Sequence, residues 1–318
     1  MGVVIASTAL CPADDTASAI GYAARAGGDC LTRAGLTPAD VDVLINVGVY
    51  RDSNVSEPSV AALVQKRIGI HPDYARGPGG SRTAFSFDLM NGACGTLNAV
   101  QAADALLATG SAERVLVVSA DTHPSMDQAR AGTPAFPYAS TGAALLLQRG
   151  DDALGFGRVH HRALPGPHGV NGYLPVSEAG PHGRGAIAVD RDADVLERML
   201  GLAADTARGC LAAEYGTDRA EVTPAAFDRT LLITSQPSPA FASSLAKRLG
   251  LPADAAVTVE GVHGDPHTSA LAYGLRQAQD AGRLEGHDRI LFLAVGAGLS
   301  SAASLYRLRR TGEGTAAC

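Results

Sequence analysis

The chain contains the same run of elements twice. Residues 22–50 read YAARAGGDCLTRAGLTPADVDVLINVGVY and residues 203–235 read AADTARGCLAAEYGTDRAEVTPAAFDRTLLITS. Each run has an Ala-rich amphipathic helix carrying a cysteine, a "TPA" helix start and an apolar strand. Thr37 matches Thr223, and the proline after each sits in a first helical turn, where a missing N–H costs nothing. AALVQKRIGI (61–70) then matches SSLAKRLGL (243–251), and AADALLATGSAERVLVVSAD (102–121) matches GLRQAQDAGRLEGHDRILFLAV (274–295). The last pair predicts a helix closed by glycine (Gly110, Gly282), a charged turn and a strand. Four matching units in the same order set aside chance likeness between Ala-rich segments.

The strand candidates VDVLINVGV, RVLVVSA, ALLLQ, TLLITS and ILFLAV are apolar on both faces, so they belong between helical layers. The expected class is therefore α/β, with one half over 1–150, a second over 191–310 and one shared core. Residues 151–190, rich in Gly, Pro and His, read as a variable substrate loop or lid. Residues 311–318 read as a disordered tail. A net charge of −6 and no run of Lys or Arg argue against nucleic acid. The five cysteines (11, 30, 94, 210, 318) form no CxxC or CxxH pattern, so neither a metal site nor a disulfide framework is expected. A reducing, cytoplasmic setting fits them. No apolar run is long enough for a membrane span, and GAGLSS lacks the dinucleotide spacing.

Two helices of the repeat start directly after strands, in FDLMNGACGTLNAVQAADALLATG (87–110) and VEGVHGDPHTSALAYGLRQAQDAG (259–282). With their closing glycines aligned, Cys94 falls opposite Pro266, next to His267. A pseudo-twofold between the halves brings these helix starts together around one pocket. A helix N-terminus favours negative charge, so a cysteine there is expected to be depressed in pKa and nucleophilic. An adjacent imidazole takes its proton. Gly92 and Gly95 let backbone approach a ligand, and turn N–H groups suit a thioester oxyanion. Cys30 and Cys210 sit mid-helix and read as small core residues. On the repeat alone, His267 is equally a core group or the partner of Cys94.

The cysteine segment, GDPHTSALAYGL and LAVGAGLSSAASLYRL together resemble β-ketoacyl-ACP synthase III and the wider thiolase superfamily. The resemblance runs from about Gly2 to Arg310. It implies the five-layered αβαβα thiolase fold, a homodimer, an acyl thioester formed on Cys94 and a backbone oxyanion contact at Gly298. Acyl-CoA or acyl-carrier-protein thioesters are the implied donors, with no bound cofactor. Ketosynthase III enzymes carry a His where this chain has Ser235. Their His-Gly-Asn-Thr-Ser-Ala reads here His263-Gly264-Asp265-Pro266-His267-Thr268-Ser269-Ala270. Anchored on Thr-Ser-Ala, His267 takes the Asn place; anchored on His-Gly, Asp265 does. The first anchor is preferred because it begins the helix, and it makes the site similar to thiolases, where a His at this place activates the cysteine. The family's arginine for carrier-protein docking is replaced near Ala240, and the insertion with the Trp and Arg that grip coenzyme A is missing.

Without the His/Asn pair that stabilises a malonyl-derived enolate, the expected function is acyl transfer. Cys94 passes its acyl group to an alcohol or amine, a small-molecule acceptor, in secondary metabolism. A carbon–carbon condensing enzyme is the alternative, and a partner subunit of a heterodimeric ketosynthase the third reading. Ser235, Asp265 and His263 are secondary site candidates. The aromatics of AGTPAFPYAS, Phe136 and Tyr138, read either as ordinary packing, which is preferred, or as lining for the pocket or the dimer contact. His160 and His161 read as surface and His168 and His182 as turn residues, while His123 follows a strand, within reach of the pocket from below, and is not counted as a site residue.

Overall fold

The computed structural model describes residues 2–14, 17–71, 83–151, 153–166, 169–174 and 184–309. Cys318, His168, His182 and the tail at 311–318 lie outside them. The first half runs β1 (Val3–Cys11), α1 (Ala19–Arg33), β2 (Val43–Asn46), α2 (Val60–Ile68), β3 (Phe85–Asp88), α3 (Gly95–Ala108), β4 (Arg114–Asp121) and β5 (Thr141–Arg149). Two short strands, β6 (Gly155–Phe156) and β7 (His160–Ala163), and a ribbon of β8 (Val170–Tyr173) and β9 (Ala188–Arg191) follow. The second half continues with α4 (Val195–Tyr215), β10 (Thr230–Thr234), α5 (Phe241–Arg248), β11 (Ala256–Val257), α6 (Ala270–Asp280), β12 (Arg289–Gly296) and β13 (Ser300–Arg307).

The strand orders β3-β2-β4-β5-β1 and β11-β10-β12-β13-β7 are copies of each other. In both, the first three strands run parallel and the last two pairings are antiparallel. Through β6, which pairs with β1 and β13, the described strands of both units join in one mixed sheet. Three apolar clusters separate the layers. One packs α1 and α2 against the outer face of the first unit, and another packs α4 and α5 against the outer face of the second. The third holds α3 and α6 between the two units. That is the αβαβα stacking, with two helices sealed at the centre. Each fully buried Leu or Ile there contributes about 1.5–3 kcal/mol.

Local chemistry sets the boundaries. The Ser18 hydroxyl accepts the Gly21 N–H (3.0 Å) and caps α1. Gly110 (φ +72) and Gly282 (φ +67) close their helices in the left-handed region. The two "TPA" starts make single 3₁₀ turns, Pro38–Asp40 and Pro224–Phe227, because the next strand begins within a few residues. The 151–190 segment is not irregular throughout. His160–Ala163 supplies the outer strand of the second unit, and the β8–β9 ribbon folds back over the region between the halves. Among the described residues no helix is long and apolar enough to cross a membrane.

Candidate active site

The turn between β3 and α3 is anchored by the Leu89 N–H on the Asn46 carbonyl (2.8 Å). Gly92 takes a left-handed turn (φ +50), and the Cys94 N–H donates to Asn91 O at 3.0 Å. Gly95 is needed for contact: a Cβ there would lie 3.1 Å from Val47 Cβ and 3.4 Å from Leu89 O. Cys94 occupies the cap position of α3 with no exposed surface. Its sulfur lies 3.6 Å from Ser300 O, 3.7 Å from Ala294 O and 3.9 Å from Ser300 Oγ, all on the β12–β13 hairpin of the other half. Burial pushes the thiol up to about 11, and its hydrogen bonds to β13 lower it only part of the way. This corrects the expectation of a depressed thiol: the sulfur is shielded from water, which disfavours its anion more than the helix start favours it.

His267 opens the 3₁₀ turn His267–Ser269 that leads into α6, with a left-handed backbone (φ +46) that a histidine adopts only when its surroundings enforce it. Its N–H donates to Asp265 Oδ1 at 2.8 Å, and its Nδ1 lies 3.1 Å from Asp121 Oδ2. Asp121 ends β4 and is fully buried. Its Oδ1 accepts the Val49 and Tyr50 N–H groups (3.0 and 2.8 Å). Its Oδ2 accepts the Thr268 N–H (3.3 Å) and Oγ1–H (2.5 Å). The helix starts do meet: Thr96 Oγ1 in the first turn of α3 donates to Thr268 O at 3.1 Å. A Cβ on Gly92 would sit 3.5 Å from His267 Nε2, so the other ring nitrogen faces the turn that carries Cys94.

Burial by itself pushes the His267 imidazole down. The charge and hydrogen bond of Asp121 and the charge of Asp265 outweigh it and leave His267 raised, with the Arg191 cation opposing. Burial likewise pushes Asp121 up, but His267 and the donors around it hold the carboxyl below its ordinary value. Asp265 is raised, because burial wins over its neighbours.

Aromatic rings wall this centre. Tyr138 stands 4.4 Å and Tyr50 5.5 Å, centroid to centroid, from the His267 ring. Phe136 meets Tyr50 edge-on at 5.0 Å and Tyr138 at 5.4 Å. Phe136 and Tyr138 therefore stand at the candidate site, in line with the pocket-lining reading of AGTPAFPYAS and not with the preferred reading of ordinary packing. The β8–β9 ribbon covers them: Arg191 lies over the Tyr138 ring at 5.5 Å, and a Cβ on Gly172 would be 2.9 Å from the Tyr50 hydroxyl.

The other candidates fall at different places. The Ser235 hydroxyl is buried on β12, accepting the Val295 N–H (2.9 Å) and donating to Val295 O (3.3 Å). Asp265 is beside His267, joined to Tyr138 by a backbone bridge. His263 is exposed, packed on Gly132, and lines a separate cavity of about 120 Å³ with Gln128, Ser140, Thr141 and Tyr273. Gly298 is the exposed left-handed residue (φ +86) of the hairpin whose strands touch Cys94. His123 is buried with its ring 5.0 Å from Phe136, and His161 bonds Gln101 Oε1 (2.8 Å) on the exposed face of α3. Asp121 was missed by sequence reasoning. Its signal is a charged residue closing an apolar strand at RVLVVSAD. Among the described residues no group of three or more His, Cys, Asp or Glu is arranged to hold a metal.

The fold sets a cysteine and an imidazole at facing helix starts, and comparison with known proteins identifies the family. The family description 3-Oxoacyl-[acyl-carrier-protein (ACP)] synthase III matches residues 87–163, and its C-terminal counterpart matches residues 218–308. The chain belongs to the ketosynthase III-like enzymes of the thiolase superfamily. It is 28% identical over 303 residues to the β-ketoacyl-[acyl-carrier-protein] synthase III of Rhizobium rhizogenes, covering 92% of this chain and 84% of that protein. The corresponding enzyme of Mesorhizobium japonicum is 25% identical over 300 residues, covering 92% and 85%. The crystal structure of the Pseudomonas aeruginosa enzyme superposes with a TM-score of 0.73 at 17% identity, over 98% of this chain and 99% of that one. A variant of OleA from Xanthomonas campestris, solved with bound lauric acid and lauroyl-CoA, superposes with a TM-score of 0.71 at 20% identity, over 96% and 99%.

Proposed function

We propose that the protein is a thioester-dependent acyltransferase of secondary metabolism. It would form an acyl thioester on Cys94 and pass the acyl group to an alcohol or amine. One observation carries this reading. Position 235, where decarboxylating ketosynthase III enzymes keep a histidine, holds a serine whose hydroxyl is bonded both ways to Val295. Loss of one oxyanion donor costs about 3 kcal/mol of transition-state stabilisation. Decarboxylation of a malonyl unit is therefore disfavoured, whereas acyl capture needs only Cys94 and a base.

His267 is the proposed base. The Cys94 sulfur attacks the thioester carbonyl while its proton passes to His267 Nε2, and the donor's thiol leaves with a proton. The acceptor oxygen or nitrogen then attacks the acyl carbonyl, its proton is taken by the same nitrogen, and Cys94 departs and is reprotonated. The helix start and the Gly298 backbone are the proposed oxyanion donors. A coenzyme A or acyl-carrier-protein thioester supplies the acyl group, and no bound cofactor enters the chemistry. A homodimer is part of the proposal. β3 ends the described sheet, and Phe85 on it and Met90 just beyond are about half exposed (50% and 54%), as an unpaired edge meeting its twin would be.

The test is intact-mass analysis after incubation with acyl-CoA, acyl-carrier and malonyl thioesters, with Cys94→Ala as control. An adduct absent from the variant, with malonyl left intact, is the expected outcome. Loss of CO2 from malonyl would favour the condensing alternative, in which Cys94 and His267 act as in thiolases. No adduct from any donor would favour a partner subunit.

A further inference from the structure

We propose that Asp121 is a positioning residue that fixes His267 as a base with Nε2 toward Cys94, so that Cys94, His267 and Asp121 form one proton relay assembled from both halves. This rests on the reading of His267 as the base for Cys94, and it gives the imidazole a reason to keep a single tautomer.

An ionised carboxylate only accepts hydrogen bonds. Both Asp121 oxygens already face donors: Val49 N–H and Tyr50 N–H on Oδ1, Thr268 N–H and Oγ1–H on Oδ2. His267 Nδ1, 3.1 Å from Oδ2, completes the set as a fifth donor. A neutral imidazole carries one N–H. With that proton on Nδ1, the lone pair is on Nε2, the nitrogen that faces Gly92 and the cysteine turn. The bond to Nδ1 serves both partners: it fixes the imidazole in one tautomer, and His267 helps to keep the buried carboxyl ionised.

The backbone supports the same orientation. His267 is held at φ +46 by its N–H bond to Asp265, and Thr268 ties the residue after it to the Asp121 carboxylate. The groups facing the imidazole are Asp121 from β4, Asp265 from its own segment, Tyr50 after β2, Tyr138 before β5 and Arg191 from β9. Of these, Asp121 is the carboxylate whose side chain bonds the ring. In the relay the thiol proton moves from Sγ to Nε2, Nδ1 keeps its proton, and Asp121 stabilises the imidazolium without being protonated. The reactive pair, with one proton fewer than the doubly protonated form, appears as pH rises through the raised His267 value.

The experiment uses the full chain and two readouts that need no knowledge of the substrate. First, alkylation of Cys94 by iodoacetamide is followed by peptide mapping from pH 5 to 9, in the parent and in Asp121→Asn, with thermal unfolding as the control for folding. The parent rate should step up through the His267 ionisation. Asp121→Asn, whose amide presents an N–H to Nδ1 and enforces the other tautomer, should lose the step and fall on the order of 10²-fold. Second, ¹⁵N spectra of histidine-labelled parent protein, with His267→Ala to assign the signal, should show a protonated Nδ1 and a bare Nε2 once the ring is neutral. That measurement stands even if Asp121→Asn does not fold. A neutral ring protonated on Nε2, or a folded Asp121→Asn protein with the parent's pH step, would overturn the proposal. If no thioester acylates the protein yet tautomer and step depend on Asp121, the relay stands and the acyltransferase reading fails. If acylation proceeds at the parent rate in a folded Asp121→Asn protein, the relay fails and the acyltransferase reading stands.

Discussion

The ends of β4 and β12 are matched positions of the repeat, eight-residue strands that both begin with arginine, yet they finish in opposite ways: Asp121 on one, Gly296 on the other. Asp121 brings a buried carboxylate that reaches into the second half and holds His267. Gly296 removes a side chain, and the first half fills the space: a Cβ there would lie 3.5 Å from Ala93 N, in the turn that carries Cys94. Each half thus docks its helix start on the other half's strand end. The matched strand ends thus differ in chemistry: one presents a buried carboxylate and the other bare backbone.

The sharpest way to break this comparison is to remove the group that each strand end receives. His267→Ala should slow Cys94 acylation by roughly 10²–10⁴-fold, measured by stopped incubation and intact mass. A rate equal to the parent's would separate the imidazole from the cysteine altogether.

The bare strand end is tested by size. Gly296→Ala places its methyl at ordinary contact distance from Ala93 and should fold and acylate nearly as the parent. Gly296→Val adds carbons for which the turn must move, and should lose about 1–3 kcal/mol in chemical denaturation together with acylation rate. If valine were as harmless as alanine, the cysteine turn would not be docked on this strand.

Ser235 gives an intermediate outcome that divides stability from chemistry. Ser235→Ala leaves the Val295 N–H without its buried acceptor and should cost about 1–2 kcal/mol, while the acylation rate changes little. A large loss of rate in a stable protein would return Ser235 to the catalytic centre.

The smallest effect is expected at Asp265, and its sign follows from the direction of its shift. A carboxyl raised in the folded state binds its proton more tightly than in the unfolded chain. Its contribution to stability is full below the ordinary carboxyl value and is lost as pH rises through the folded value. Asp265→Asn removes that loss, so the variant should gain stability relative to the parent as pH rises above 4. Its alkylation step should move to lower pH, because one of the charges that raise His267 is gone. The same rule applied to His267 gives stability present below its ordinary value and lost as pH rises through the raised one.

Much of the frame was legible because periodicity is a local property. Apolar runs such as RVLVVSA and ILFLAV can lie only between layers, and glycines 110 and 282 mark helix ends whatever surrounds them. Repetition of these units in one order fixed the duplicated α/β design, and the alignment of closing glycines placed Cys94 near His267. The sequence could also show that positions 235 and 267 depart from the ketosynthase III pattern. Other features depend on what meets across the two halves, and no spacing along the chain reports that. Burial of Cys94 against Ala294 and Ser300 reversed the expected direction of its pKa, since shielding from water is set by distant strands. Phe136 and Tyr138 became walls of the site, and His263 was carried away from it. Asp121 looked like a charge at the end of a strand until the fold enclosed it, 146 positions from the imidazole it holds. Residue types and local periods dictated the elements; only their packing decided which polar groups would be buried together, because desolvation and hydrogen-bond partners are properties of the assembled core.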